Sequence, residues 1–107
     1  MDATIVEHRK YPRYSVHFKS ILSPDGVHLE EGVVLDLSLG GCRVMSPLHL
    51  PLKTPLELDI RPDQHASIYV PSAVICWERD SLFGLEFKEI PELQLATLTR
   101  LLWTLRT

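Results

Sequence analysis

The sequence contains only two cysteines and no run of apolar residues long enough to span a membrane. Cys42 and Cys76 lack CxxC spacing, which excludes the usual cysteine patterns of zinc sites and secreted disulfide scaffolds. Because their neighbours are apolar, we expect both thiols to be reduced and part of the core. A signal-peptide stretch is also missing from "MDATIVEHRK", and we expect a cytoplasmic protein that does not insert into membranes.

Positive charge is not in excess either. The chain has 14 acidic and 11 basic side chains and a formal net charge of -3, so any anion site must be local. Basic and aromatic residues cluster only within residues 9–14, and we therefore expect no DNA or RNA partner. A length of 107 residues, with 45% hydrophobic and 23% charged residues, is typical of one globular domain.

Patterns typical of catalysis and metal binding are missing as well. Ser38 has no GxSxG motif around it and no general base dedicated to it. None of the five histidines is spaced from a cysteine or carboxylate as a metal ligand. These histidines are His8, His17, His28, His49 and His65. We therefore expect no enzyme, no metal site and no cofactor.

Alternating apolar and polar residues predict a mainly β domain. One strand covers residues 14–22, and the turn "SPDGVH" leads to a second strand that ends near Leu37. Further strands are predicted in "CRVMS", "TPLELDI", residues 66–77 and "LFGLEF", with "LHLPLKTP" as an irregular connection. Pro71 favours an edge position or a bulge, and Gly84 leaves room for a close approach to the backbone.

The second strand is expected to aim two polar side chains together from one face. Period-two alternation places Val33, Leu35 and Leu37 on one face, and Val34, Asp36 and Ser38 on the opposite face.

After Pro91, which suits a first helical position, the hydrophobic period changes and predicts an amphipathic helix over residues 91–106. Its leucines recur at spacings of three and four: Leu95, Leu98, Leu102 and Leu105, with Leu101 beside them. They either seal the core or form a dimer seam, and the shortness of the stripe favours the core. Trp103 lies off the stripe, and its exposure would favour a partner. Strands and helix together predict a small antiparallel barrel with the helix outside it or across an end.

Two short motifs contain the residues best suited to bind a ligand. In "RKYPR", Pro12 favours an extended loop, so that Arg9 and Arg13 can close over a ligand. A guanidinium group matches phosphate oxygens and the edge of guanine. Two arginines near an N-terminus are also typical of a solvated tail.

The second motif is "DLSLGG". Asp36 can accept hydrogen bonds from the N1 and N2 hydrogens of guanine, and Ser38 can donate to a phosphate. Gly41 would let backbone N–H groups approach a ligand closely. The alternative is a serine turn that closes a hairpin with its own side chain.

In order and approximate separation, these motifs match the RxxxR and DxSxxG motifs of the PilZ domain family. "AVICWERDSLFGLEF" also resembles the closing hairpin of that family. The sequence therefore resembles a single-domain PilZ protein over nearly its whole length. The resemblance implies a six-stranded antiparallel β-barrel over residues 14–88, a flexible N-terminal arm over 1–13 and a C-terminal helix over 91–106.

The resemblance also implies a receptor for the bacterial second messenger cyclic di-GMP. Arg9 and Arg13 would grip guanine and phosphate, opposite a wall made of Asp36, Ser38 and Gly41. Accessory contacts are expected from His8, Gly40 and Arg43. His8 precedes the first arginine of the motif. In the family, the residue at this position influences whether one ligand or two are bound. Arg43 is more typical of a strand arginine facing solvent.

Binding is expected to order the arm and to signal to a downstream protein partner, from a monomer or a homodimer. The alternative function is a ligand-independent protein–protein adapter on the same fold. A mixed cyclic dinucleotide is the alternative ligand.

Overall fold

Six strands and one helix make up residues 11–106, which are the residues that the computed structural model describes. The strands are β1 (Tyr14–Ser23), β2 (Glu30–Leu37), β3 (Gly41–Met45), β4 (Pro55–Arg61), β5 (Ile68–Arg79) and β6 (Leu82–Glu89), and the helix is α1 (Glu92–Leu105). Neighbouring strands are antiparallel, and the order β1-β2-β3-β6-β5-β4 closes into a barrel. The predicted six-stranded barrel with a C-terminal helix is confirmed.

The barrel interior is filled by side chains that alternate along the strands. On β4 the predicted alternation is confirmed, because Leu56, Leu58 and Ile60 are all buried. Closure of the sheet leaves no strand with an unpaired edge in the barrel.

The cysteine prediction was half wrong: both thiols are free and Cys42 is buried, but Cys76 is exposed.

The predicted faces of β2 were wrong. Val34 and Leu37 are both fully buried, although an unbroken alternation would put them on opposite faces. The cause is a β-bulge: Val34 and Asp36 pair with consecutive residues of β3, so Leu35 is an additional residue in β2. Asp36 still faces outward, opposite Arg43, because its neighbour in sequence Leu37 points into the barrel.

Strand β5 contains two bulges of the same kind. Pro71 and Ser72 lie between its pairs with Leu58 and Leu56, where β4 has a single residue. The predicted bulge at Pro71 is therefore confirmed, and the edge position is excluded by the closed barrel. Farther along, Cys76 is additional between the pairs of Ile75 and Trp77 with β6, which turns Trp77 to the outside.

The turn "SPDGVH" joins β1 and β2 as predicted, with Gly26 at a positive φ of 79°. One carboxylate oxygen of Asp25 accepts hydrogen bonds from the N–H groups of Val27 and His28, at 2.8 and 2.7 Å. The other oxygen is 2.5 Å from Nδ1 of His28. This contact lowers the pKa of Asp25 and raises the pKa of His28.

Helix α1 packs on the barrel through its leucines. Leu98, Leu101 and Leu102 are buried in the same cluster as the barrel side chains. Leu98, Leu101 and Leu102 therefore seal the core as predicted, whereas Leu95 of the same stripe is exposed and does not. Pro91 precedes the first helical residue by one position and has an extended backbone. Among the described residues, no helix is long and apolar enough to cross a membrane.

The helix is tied to β5 by the backbone N–H of Tyr69, which donates to Oε1 of Gln94 at 2.7 Å. On the opposite side of the helix Trp103 is 64% exposed. The guanidinium carbon of Arg106 lies over its ring, 4.5 Å from the centroid. The exposure of Trp103 is the feature that was expected to indicate a partner surface.

Candidate functional site

A row of outward-facing residues crosses five neighbouring strands of the barrel. Ser15 pairs with Asp36, Asp36 with Arg43, Arg43 with Gly84, and Gly84 with Trp77. Directly paired residues have Cβ atoms about 5 Å apart, so the row brings a carboxylate, a guanidinium and an indole onto one surface. We call these five residues the cross-strand row.

Asp36 lies between two arginines in this row. Its Oδ2 is 3.2 Å from Nε of Arg43, and its Oδ1 is 3.8 Å from Nη1 of Arg13. The Asp36 side chain is only 16% exposed, whereas those of Arg13 and Arg43 are 60% and 40% exposed. The structure thus joins Arg13 of the first motif to Asp36 of the second and adds Arg43 to the same cluster.

Two buried polar atoms of this cluster lack hydrogen bonds within residues 11–106. They are Oδ1 of Asp36 and Nε of Arg43. The contact between Arg43 and Asp36 has the distance of an ion pair without the alignment of a hydrogen bond. An unsatisfied buried polar atom costs about 1–3 kcal/mol, so a ligand that donates to Oδ1 would gain from a cost already present in the fold.

Ser38 forms the serine turn that its motif allowed as an alternative. Its Oγ accepts hydrogen bonds from the N–H groups of Gly40 and Gly41, both at 3.2 Å. The hydroxyl and the backbone N–H of Ser38 both donate to the carbonyl oxygen of Gly41, at 3.2 and 2.9 Å. Ser38 is also buried, and in this structure it shapes the loop between β2 and β3.

The two glycines after Ser38 are both needed for close packing. A Cβ on Gly41 would collide with the carbonyl oxygen of Leu85 in β6, so the close approach there is made by the barrel itself. A Cβ on Gly40 would lie 2.9 Å from Cδ2 of Tyr11. The Tyr11 ring therefore covers Gly40, which brings the first motif against the loop of the second.

Trp77 is a candidate site residue that the sequence did not reveal. A Cβ on Gly84 would collide with Nε1 of the Trp77 indole, so the predicted close approach at Gly84 is confirmed and the approaching group is this indole. Trp77 is 39% exposed, at the end of the row away from Asp36. The sequence signal was the pairing of a tryptophan with a glycine across the hairpin "CWERDSLFG".

The two thiols near the row stay protonated at neutral pH. Burial and the nearby carboxylate of Asp36 raise the pKa of Cys42. Partial burial and the carboxylate of Glu86 raise the pKa of Cys76. Within the described part of the chain, no three histidine, cysteine or acidic side chains are grouped as metal ligands. His8 and Arg9 lie outside the described residues.

The PilZ domain family model matches residues 7–102 of the chain. The chain belongs to the PilZ domain family. No curated protein sequence matches it. Solved structures with the same fold include the PilZ domain of CeSA from a cellulose-synthesizing bacterium, with 22% identity and a TM-score of 0.70, covering 90% of this chain and 99% of that chain.

Two longer proteins contain the same fold. YcgR from Escherichia coli, in complex with c-di-GMP, has 17% identity and a TM-score of 0.75 over 92% of this chain. The inhibitor of motility MotI (DgrA) from Bacillus subtilis has 21% identity and a TM-score of 0.73 over 87% of this chain. This PilZ chain spans only 46% of YcgR and 48% of MotI, and at such identities the likeness shows the fold alone.

Proposed function

We propose that this PilZ protein binds cyclic di-GMP on the cross-strand row and signals to a protein partner through its N-terminal arm. The observation that carries the proposal is the Asp36 carboxylate, held between Arg13 and Arg43 with a buried oxygen that has no hydrogen-bond partner in residues 11–106. Membership of the family and the likeness to YcgR, whose structure contains c-di-GMP, support the same ligand.

The chemistry of the ligand matches the chemistry of the row. Cyclic di-GMP carries two phosphate charges and two guanine bases. In the proposed complex Arg9 and Arg13 bind phosphate and guanine, while Oδ1 of Asp36 accepts from a guanine N–H group. Arg43 adds a further donor from the neighbouring strand. Because Arg13 and Arg43 both lie beside Asp36, the net charge of -3 does not prevent binding of a dianion.

The indole of Trp77 supplies the apolar part of the proposed site. Bases stack on exposed aromatic rings, and each such contact is worth about 1–3 kcal/mol. The absence of a Cβ at Gly84 lets the indole pack closely on β6, which places it on the row without the ligand. In the proposed site Ser38, Gly40 and Gly41 shape the loop that forms the other wall.

A protein partner without the ligand is the second candidate function. The exposed Trp103 on α1 supports it, because large exposed aromatic side chains are enriched at protein interfaces. The proposed receptor performs no chemical reaction in either case.

The test is isothermal titration calorimetry of the protein with cyclic di-GMP at near-physiological salt, with GTP and a cyclic GMP–AMP dinucleotide as controls. We expect saturable heat with cyclic di-GMP, and the molar ratio reports whether His8 permits one ligand or two. Arg13→Ala should weaken binding about tenfold to a hundredfold, since a charge-assisted hydrogen bond is worth about 1.5–3 kcal/mol.

Arg79→Ala is the matched control, because Arg79 is exposed at the end of β5 and belongs to neither motif. It should leave the dissociation constant unchanged. The absence of heat at a large ligand excess would refute the receptor proposal and favour the adapter. An unchanged dissociation constant for Arg13→Ala would remove the first motif from the site.

A further inference from the structure

The face of α1 opposite the barrel carries a groove between two rows of side chains. At 3.6 residues per turn, Ala96 lies about 180° around the helix from the mean direction of Leu98, Leu101 and Leu102. Glu92, Ala96 and Arg100 form one row with a spacing of four, and Leu95, Thr99 and Trp103 form the next. We call the space between these rows the outer groove.

The outer groove is apolar along one side and exposed. Trp103 and Leu95 are 64% and 38% exposed, although both are large hydrophobic residues. The Trp103 ring is held beneath the guanidinium of Arg106, which limits the entropy lost when a partner covers it. A fixed aromatic side chain beside a groove is typical of a protein–protein contact.

The charges of the groove are arranged symmetrically about Ala96. Glu92 precedes Ala96 by four residues and Arg100 follows it by four, so the two opposite charges lie at equal distances along one row. Neither side chain forms an ion pair with another residue of the range 11–106. Alanine at the centre of the row allows the backbones of two helices to approach closely.

We propose that the outer groove binds the outer groove of a second copy of this chain, as an antiparallel helix pair with its two-fold axis over Ala96. The axis reverses the row, so Glu92 meets Arg100 of the partner subunit, and the reciprocal pair forms by symmetry. Packing of rows with a spacing of four against each other is the commonest mode of helix contact in globular proteins. A parallel pair would instead bring Glu92 against Glu92, which is repulsive.

The dimer is expected to be weak. Helix α1 has 14 residues and is about 21 Å long, so the contact is smaller than the roughly 800 Å² per partner of a standard stable interface. The proposal does not rest on the proposed ligand, because the outer groove shares no residue with the cross-strand row. Its test is therefore made without cyclic di-GMP.

The test is sedimentation equilibrium of the full chain over a range of concentrations. We expect a reversible monomer–dimer equilibrium. Glu92→Arg and Arg100→Glu should each weaken the dimer about tenfold, because each turns both symmetric ion pairs into like-charge contacts. The double substitution Glu92→Arg with Arg100→Glu should restore the parental dissociation constant. Arg79→Glu is the matched control and should leave the dissociation constant of the dimer unchanged. Arg79 lies at the end of β5 farthest from Tyr69, the residue that is hydrogen-bonded to Gln94 of the helix.

A mixture of the two single variants separates this arrangement from other contacts. One variant then supplies two positive charges and the other two negative charges, so the heterodimer should form more tightly than either variant alone. A monomer at every concentration would overturn the proposal and leave the groove to a different protein. A double substitution that is as weak as the single ones would overturn the antiparallel pairing.

Discussion

Strands β4 and β2 have opposite relations to the barrel core. On β4 the alternation of buried and partly exposed residues is unbroken from Leu56 to Ile60, and none of its residues belongs to the cross-strand row. On β2 a bulge at Leu35 interrupts the alternation, and beside it Asp36 faces the two arginines of the candidate site. The bulge at Cys76 in β5 does the same for Trp77. In this barrel the unbroken strand β4 supplies core side chains, and bulges in β2 and β5 turn Asp36 and Trp77 toward the site that also contains Arg43 of β3.

The largest expected effect is on the stability of the fold, through a core residue of β4. Leu58→Ala should lower the free energy of unfolding by about 2–5 kcal/mol, since Leu58 is fully buried and its loss leaves a cavity. Urea denaturation measures this change. The folded fraction should still bind cyclic di-GMP with the parental dissociation constant, and a loss of affinity larger than the loss of folded protein would contradict the division between the strands.

On the bulged strand β5, Trp77→Ala should weaken ligand binding about tenfold to a hundredfold, because one base loses its stacking surface. The loss of stability should be smaller than for Leu58→Ala, since the indole is 39% exposed. Trp77→Phe keeps an aromatic ring and should recover part of the affinity. Calorimetry that finds the same affinity for Trp77→Ala and the parent protein would remove Trp77 from the site.

A smaller effect is expected at Asp36. Asp36→Asn keeps an acceptor oxygen in place but removes the negative charge that orients Arg13 and Arg43, and we expect about tenfold weaker binding by calorimetry. The free energy of unfolding should change by no more than about 1 kcal/mol, because both arginines are substantially exposed. Tighter binding by this variant would mean that Asp36 competes with the ligand for the arginines.

The smallest effect concerns the turn between β1 and β2. Because the pKa of Asp25 is lowered, its carboxylate stabilises the folded protein at pH values above its ordinary pKa of 3.8. This stabilisation is lost as the pH falls toward the lowered pKa. Because the pKa of His28 is raised, its imidazolium stabilises the folded protein at pH values below its ordinary pKa of 6.5. This stabilisation is lost as the pH rises through the raised pKa. Thermal melts should therefore show the largest deficit of Asp25→Asn between about pH 4 and 6.5.

An equal deficit for Asp25→Asn at every pH would assign the effect to the two backbone hydrogen bonds of Asp25 alone. Because the turn is exposed, this variant should leave the cross-strand row and its ligand affinity unchanged.

The architecture was predictable because most of its strands and its helix have clear periodicities. The phase of β2 was not, since "VVLDL" offers aliphatic side chains to the core in either phase and only the pairing with β3 decides between them. The clean period of "TPLELDI" left no such choice on β4. Sequence alternation is thus least informative where a bulge is placed, which is beside the candidate site.

The candidate site was predictable in its motifs and not in its contacts. Arg13 and Asp36 were expected to act together, and the structure places them 3.8 Å apart. The ion pair of Arg43 with Asp36 and the position of Trp77 over Gly84 depend on pairing between strands distant in sequence. The serine turn at Ser38 was one of two alternatives that its motif allowed, and the local hydrogen bonds decided for it.

The most direct measurement uses the fluorescence of Trp77 itself. Replacing the chain's other tryptophan, Trp103→Phe, leaves Trp77 as the only indole, so its emission reports on the cross-strand row alone. Titration with cyclic di-GMP should change this emission saturably, with the dissociation constant found by calorimetry, and Arg13→Ala should shift the curve to higher concentrations. Calorimetric binding with no change in Trp77 emission would place the ligand elsewhere and contradict the account.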